Sequence, residues 1–216
     1  MEKLTNIERR VFDFREHREF APHIDSENER RVIGYAIVFN QESRVLYDAK
    51  ARSTFIETIN PEAVTKEFLD RQDIKLNFNH DNDRILGRSL FGGGTLSYEI
   101  DEYGVRFACE LPNTAAGNDV LELIRRGDVF GCSFAFTYSK DGVKDLKKGG
   151  ERYRYISAFG SIDDFSIVVD PAYWGTFVTT RAYNPETEGD TGEKDPVTGV
   201  PMDLEIEMLR LESEIY

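Results

Sequence analysis

One stretch of the sequence is the most informative about the fold: Gly-Asp-Val-Phe-Gly-Cys-Ser-Phe-Ala-Phe-Thr at residues 127–137. Its valine, phenylalanine and threonine side chains favour a pleated backbone, so the stretch predicts a β-strand. Alternation along that strand puts Cys132 on the face of the phenylalanines and Ser133 on a face of small residues. Cys132 is therefore predicted to lie in the core, whereas Ser133 lies where the backbone of a substrate could come close.

Length, charge and cysteine content limit what the 216-residue chain can be. The length suits one domain with a sizeable core, with or without a tail. The formal net charge is −13, from 27 Lys and Arg against 40 Asp and Glu, which argues against nucleic acid as a direct ligand. Cys109 and Cys132 have no paired spacing and are predicted to be free buried thiols, and no cofactor or metal is predicted. Residues 1–19 are too charged for a secretory signal or a membrane span, so we expect a soluble intracellular protein.

The two ends of the chain differ in composition from its middle. Residues 1–31 carry dense mixed charge, including His17 and His23, and predict a charged arm or an edge strand. Residues 183–200 are rich in Pro, Gly, Thr, Asp and Glu and predict a flexible linker. Residues 201–216 predict a short amphipathic helix that docks on a partner or back on the domain. Most of the net negative charge lies in these last two segments.

The middle of the chain, residues 32–182, predicts strands with two helices between them. Apolar or alternating runs of strand length recur through it, beginning at its first residue. One helix is predicted over residues 60–69, where Asn-Pro opens it, and a second over residues 112–127, where a glycine ends it. Residues 141–151 are rich in lysine and glycine and predict a mobile loop. The predicted fold class is therefore α+β and mainly β.

Two further polar residues interrupt apolar strand patterns. Ile74, Leu76 and Phe78 share one face of a predicted strand, and His80 is the next position on that face. Partial burial there would favour the neutral imidazole that a general base needs. Asp164 lies inside another apolar strand, where a carboxylate is unfavourable unless it is paired. Each residue also has a structural explanation: a core histidine satisfied by backbone or nearby aspartates, and a carboxylate that faces water at a barrel end.

Short motifs along residues 32–181 together resemble a known family. They are Gly34-Tyr35-Ala36, Asn79-His80-Asp81, Leu86-Gly87-Arg88, Leu111-Pro112, Gly127 with Ser133-Phe134, and Asp164-Phe165-Ser166-Ile167-Val168 followed by Pro171-Ala172-Tyr173. In this order they are similar to the tailed-phage prohead protease family, capsid-maturation serine proteases related in fold to herpesvirus assemblin. The resemblance implies a closed or partly closed β-barrel with a few peripheral helices, to which the composition adds a flexible acidic C-terminal tail.

The resemblance also implies a function and a set of catalytic residues. The family's histidine corresponds to His80, its serine nucleophile to Ser133 and its carboxylate to Asp164, with the adjacent Asp163 as an alternative for the third. The implied function is a serine endopeptidase that cleaves scaffold protein, or a scaffold-like segment of the major capsid protein, and also itself. It would act inside the assembling procapsid in the host cytoplasm, and homodimers or larger assemblies are common in the family.

Two other functions fit the same residues. The chain could be a catalytically silent capsid-assembly factor that uses the same domain with its acidic tail as a docking arm. It could also be a cysteine hydrolase that uses Cys132, which strand alternation disfavours. A self-processing protease should accumulate products cut in the 183–200 linker, whereas an assembly factor should stay full length. A peptidase also needs an oxyanion hole, for which we expect backbone N–H groups near Gly87 and Arg88.

Overall fold

A computed structural model describes residues 7–13 and 18–169 of the chain. This part is mainly β, with two short helices and one 3₁₀ turn, as the α+β prediction expects. His17, the predicted linker at 183–200 and the predicted helix at 201–216 lie outside the described residues. What the sequence predicts for them therefore stays a prediction.

The elements are numbered in chain order. The strands are β1 (Glu8–Asp13), β2 (His23–Ile24), β3 (Arg31–Val38), β4 (Leu46–Asp48), β5 (Ser53–Ile59), β6 (Asp73–Phe78), β7 (Asp81–Leu90), β8 (Gly93–Gly94), β9 (Leu96–Ile100), β10 (Gly104–Glu110), β11 (Gly131–Tyr138), β12 (Val143–Lys148), β13 (Glu151–Ile156) and β14 (Phe159–Val168). The helices are α1 (Lys66–Leu69) and α2 (Ala115–Arg126), and the 3₁₀ turn is Pro61–Ala63.

The strands form three open sheets. The six-stranded sheet has the order β1-β11-β14-β6-β7-β8, and the two four-stranded sheets have the orders β2-β3-β10-β9 and β12-β13-β5-β4. Within residues 7–13 and 18–169 no ladder joins the two edges of a sheet, so the closed barrel that the family resemblance implies is not found. The six-stranded sheet ends at β8, which is only two residues long. This edge strand presents too few backbone N–H and C=O groups to pair with another edge and close the sheet.

One hydrophobic cluster collects the inward faces of the sheets and of α2. Its largest fully buried side chains include Phe134 and Phe136 from β11 and Phe165 from β14. Each buried phenylalanine stabilises the fold by about 1.5–3 kcal/mol. Apolar packing therefore holds one face of these two neighbouring strands, which leaves their other face for polar side chains.

The second helix follows the sequence prediction closely, and the first does not. α2 begins after Thr114, whose hydroxyl accepts the N–H of Gly117, and it ends at Gly127, which has a φ of 76°. This left-handed residue is the glycine stop that the sequence indicates. The single helix predicted over residues 60–69 is wrong: Val64 is extended, and it separates the 3₁₀ turn from α1.

Two charged segments contain strands: β12 lies where the sequence predicts a loop, and β1 is at the edge of the six-stranded sheet, within the segment predicted to be a charged arm or an edge strand. The mobile loop predicted at residues 141–151 is wrong, because β12 lies within it and pairs antiparallel with β13. Regular structure also begins before residue 32, because β1 pairs with β11 along its whole length. In each segment a charged side chain has an ion-pair partner: Arg10 pairs with Glu57, 47 residues away, and Asp145 pairs with Arg154 across the hairpin of β12 and β13.

Candidate active site

Ser133 lies in the middle of β11, between β1 on one side and β14 on the other. In these two ladders it is directly opposite Val11 and Ser166, and it is fully buried. The preceding residue, Cys132, belongs to the hydrophobic core, where burial raises the pKa of its thiol. A thiol that stays protonated is a poor nucleophile, so the structure argues against the cysteine-hydrolase hypothesis.

His80 does not lie on the apolar face of β6, which corrects the sequence prediction. β6 ends at Phe78 and β7 begins at Asp81, so Asn79 and His80 form a two-residue hairpin turn. Both turn residues have a φ of 55°. Type I′ hairpin turns need positive φ at both central positions, and asparagine is favoured there. The imidazole is therefore presented by the turn and not by the strand.

The imidazole of His80 joins Ser133 to Asp164. Its Nε2 lies 2.6 Å from Oγ of Ser133, and its Nδ1 lies 2.8 Å from Oδ1 of Asp164. Because an ionised carboxylate only accepts hydrogen bonds, Nδ1 carries the donated proton, and Nε2 is left to accept from the serine hydroxyl. The side chains of His80 and Asp164 are only 10% and 11% exposed. The three groups thus form one shielded chain of hydrogen bonds.

The two neighbouring candidates for the carboxylate have different surroundings. Asp164 contacts His80, whereas the carboxylate of Asp163 accepts a hydrogen bond of 3.3 Å from Ser161. Burial raises the pKa of Asp163. Of the two aspartates, it is Asp164 that the structure places against the imidazole.

Strand β14 also holds the turn that carries His80. Oγ of Ser166 accepts the backbone N–H of His80 at 2.8 Å, and the carbonyl of Ile167 accepts the N–H of Asn79 at 3.0 Å. The side-chain oxygen of Asn79 accepts the N–H of Val169 at 3.0 Å. The sequence does not predict the contacts of Ser166 and Asn79. One sequence feature does indicate the turn: an asparagine precedes His80, and the pair lies between two strand patterns. Asparagine tolerates the left-handed conformation that such hairpin turns need.

Of the two residues expected to supply oxyanion donors, Arg88 has its N–H hydrogen bonded to another group. The N–H of Arg88 donates to Oγ1 of Thr95 at 3.2 Å, and the Arg88 guanidinium pairs with Asp73. Gly87 packs so closely against Cys109 that a Cβ at this position would lie 2.4 Å from the sulfur. The glycine is therefore needed for packing, and an oxyanion hole from backbone N–H groups near Gly87 and Arg88 stays a prediction.

Other candidate sites in the described residues are few. His23 is exposed, and its Nδ1 lies 3.0 Å from the carbonyl oxygen of Ala21. No group of three or more His, Cys, Asp or Glu in residues 7–13 and 18–169 is arranged to hold a metal ion. Neither helix in this part of the chain has the length and apolar character needed to cross a membrane.

Comparison with known proteins identifies the family. The model of a family described as caudovirus prohead serine protease matches residues 19–189, which is well over half of the chain. A search of the curated proteins and a search of the solved structures each found no match. The matched range contains His80, Ser133 and Asp164, together with the motifs that resemble this family. The chain belongs to the caudovirus prohead serine protease family.

Proposed function

We propose that this chain is a serine endopeptidase of phage prohead maturation. Its substrates are the scaffold protein, or a scaffold-like amino-terminal segment of the major capsid protein, and the protease chain itself. It acts inside the assembling procapsid, in the cytoplasm of the host. The observation that carries the proposal is the imidazole of His80, hydrogen bonded to Ser133 at one nitrogen and to Asp164 at the other.

In the first half of the reaction Ser133 is the nucleophile and His80 is the general base. As Oγ forms a bond to the carbonyl carbon of the substrate, its proton passes to Nε2 of His80. The C–N bond of the tetrahedral adduct then breaks, and the same proton passes from Nε2 to the leaving amine. Asp164 keeps the ring in the tautomer with its proton on Nδ1 and stabilises the imidazolium that forms between the two transfers.

In the second half of the reaction water takes the place of the departed amine. His80 accepts a proton from this water as the water oxygen forms a bond to the acyl carbon. The bond between that carbon and Oγ of Ser133 then breaks, and the proton returns to Oγ. One peptide bond and one water molecule are consumed, two peptides are released, and the enzyme regains its starting state.

The proposed substrates follow from the family and not from a visible pocket. The family description names the prohead, and the proteins available there are those that build it. Scaffold and capsid segments are long chains, which suits an endopeptidase better than an enzyme that trims ends. The expected homodimer or larger assembly stays a prediction.

The test is intact-mass analysis after the full chain is expressed together with its cognate capsid protein. Wild type should yield discrete shortened forms of the capsid protein and of the chain itself, and Ser133→Ala should yield none. Ser161→Ala is the matched control, because the hydroxyl of Ser161 in β14 bonds to Oγ1 of Thr137 at 3.0 Å and not to His80. Its products should match those of wild type. Identical uncleaved masses for wild type and Ser133→Ala would overturn the proposal and leave the silent assembly factor.

A further inference from the structure

The turn that carries His80 has a backbone conformation that is uncommon for residues other than glycine. Asn79 and His80 both have a φ of 55°, in the left-handed region where a side chain with a Cβ is disfavoured. Such a conformation persists only where surrounding contacts determine it. The position of the imidazole therefore depends on the contacts that hold this turn.

Ser166 supplies the contact to the backbone of the histidine itself. Its Oγ accepts the N–H of His80 at 2.8 Å, and the residue is only 1% exposed. Its own proton faces two main-chain carbonyls, that of Asn77 at 3.4 Å and that of Ile167 at 3.5 Å. The hydroxyl is thus confined inside the sheet, where it has a fixed donor to accept from.

The position of Ser166 in β14 links the turn to the nucleophile. Ser166 is directly opposite Ser133 in the ladder between β14 and β11. It is also two residues from Asp164, so the two side chains lie on the same face of the strand. One strand therefore carries the acceptor for the imidazole, the acceptor for the backbone of His80 and the ladder partner of Ser133.

We propose that Ser166 is a positioning residue that holds His80 against Ser133 through the backbone N–H, a role that rests on the proposed peptidase function. Without the hydroxyl, the N–H of His80 loses its acceptor, and the contacts of β14 with the turn that remain are those made by Asn79. A displacement of about 1 Å at a reacting group lowers a rate about 10²-fold. Because Ser166 bonds to the backbone and to neither ring nitrogen of His80, its effect passes through the turn.

The experiment measures the reactivity of the serine and the hydrogen bond of the ring separately. The full chain and its Ser166→Ala variant are treated with a fluorophosphonate, which phosphonylates an activated serine with loss of fluoride, and labelling is followed by intact mass. The Nδ1–H proton of His80 is followed by NMR with isotope-labelled histidine, of which the chain contains three. Ser161→Ala controls for the loss of a hydroxyl from β14. Ser166→Cys keeps the shape of the side chain at a slightly larger size but weakens the acceptor.

We expect Ser166→Ala and Ser166→Cys to be labelled about 10–100-fold more slowly than wild type. The downfield Nδ1–H resonance of His80 should broaden or move upfield in both, while Ser161→Ala matches wild type in both measurements. Unchanged labelling and an unchanged resonance in a folded Ser166→Ala chain would overturn the proposal, and Ser166→Cys decides by the same criteria if Ser166→Ala does not fold. If wild type itself is not labelled, the proposed function fails, and the NMR comparison alone decides the role of Ser166.

Discussion

Strand β11 contributes a side chain to a buried polar cluster on each of its two faces. The two clusters differ in whether their protons can be transferred. We call them the histidine cluster and the arginine cluster. Their members are Ser133, His80 and Asp164 in the first, and Arg10, Glu57 and Tyr138 in the second. Both are shielded from water, so burial of polar groups does not by itself distinguish a reactive site from a structural ion pair.

In the arginine cluster the pKa values of Arg10 and Tyr138 are both raised, so both groups stay protonated. Burial alone would lower the pKa of Arg10, but attraction by Glu57, whose Oε1 is 2.5 Å from Nε, outweighs it and raises that pKa. Burial also raises the pKa of Tyr138. Arg10 therefore stays charged and Tyr138 stays neutral across the physiological range. Neither group can take up or release a proton during a reaction.

The histidine cluster holds its protons in a transferable arrangement. The imidazole donates at one ring nitrogen and accepts at the other, so a proton can enter at Nε2 while Nδ1 keeps its own. Imidazole is also the side chain whose ordinary pKa lies closest to neutral pH. Under the proposed function, the histidine cluster aligns a movable proton with a nucleophile, whereas the matched charges of the arginine cluster stabilise the fold.

The largest expected effect is that of Ser133→Ala on the histidine cluster. Removing the hydroxyl removes the nucleophile, so the rate of peptide cleavage should fall on the order of 10⁶-fold. The free energy of unfolding should change by less than about 1 kcal/mol, because alanine fits a face of small residues. Product masses measure cleavage, and urea titration measures unfolding. Retained cleavage would exclude Ser133 as the nucleophile.

Asp164→Asn should give the next largest loss. The amide can donate to Nδ1 of His80 and so favours the tautomer with the proton on Nε2, which cannot accept the serine proton. We expect cleavage to slow by about 10⁴-fold. The matched control is Asp163→Asn, whose neighbour is Ser161 and not His80, and which should stay within a few-fold of wild type. Equal losses in the two variants, measured by product formation over time, would contradict the assignment of the carboxylate.

Arg10→Met should act on stability and leave the reaction alone. It leaves the carboxylate of Glu57 buried without its cation, which costs about 3–5 kcal/mol of unfolding free energy. The double variant Arg10→Met with Glu57→Gln should recover part of that loss, because the charge at Glu57 is removed while Glu8, the other acidic partner of Arg10, has still lost its cation. Urea unfolding measures the stability of both variants, and fluorophosphonate labelling measures their reactivity under folded conditions. A folded Arg10→Met chain that labels as slowly as Asp164→Asn would show that the two clusters are not separate.

The smallest expected effect is a pH dependence of the unfolding free energy that comes from Asp48, next to the arginine cluster. Burial alone would raise the pKa of Asp48, but hydrogen bonds from the N–H of Ala51 and from Arg154 and Arg152 hold it below 3.8, its ordinary value. A lowered folded-state pKa means that ionised Asp48 contributes stability above that value, which is lost as pH falls through the folded-state pKa. Arg154 also donates to Tyr138, which joins Asp48 to the cluster.

The measurement is urea unfolding of wild type and Asp48→Asn at pH values from about 7 down to about 2.5. The difference in unfolding free energy between the two chains should be constant near neutral pH and should shrink as the pH approaches the folded-state pKa of Asp48. A difference that grows as pH falls would have the wrong sign and would refute the interpretation.

Local features of this fold are predictable from the sequence. Thr114 and Gly127 act on the residues next to them, so the ends of α2 follow from the side chains. The alternation in β11 likewise predicts that Cys132 is core and that Ser133 is on the other face, because the pleat has a period of two wherever the strand lies. Family motifs add the three candidate site residues, whose catalytic roles stay a proposal.

Features that join distant segments are not predictable in this way. The expected placement of His80 on the face of β6 is wrong because hairpin pairing of β6 with β7 turns the chain after Phe78. The burial of Arg10 depends on Glu57, which is 47 residues away. A charged segment is predicted to be exposed to solvent, because its sequence does not show which distant residue neutralises its charges.

The amino-acid sequence by itself determined the fold class, the caps of α2, the two faces of β11 and the family to which the chain belongs. These follow from local backbone preferences, from side-chain periodicity and from ordered motifs. Only the tertiary structure decided that β14 lies beside both β11 and β6, and that the sheets formed by residues 7–13 and 18–169 stay open. It also decided that Ser166 holds the backbone of His80. Strand order and register depend on contacts between residues far apart in the chain, which no local pattern encodes.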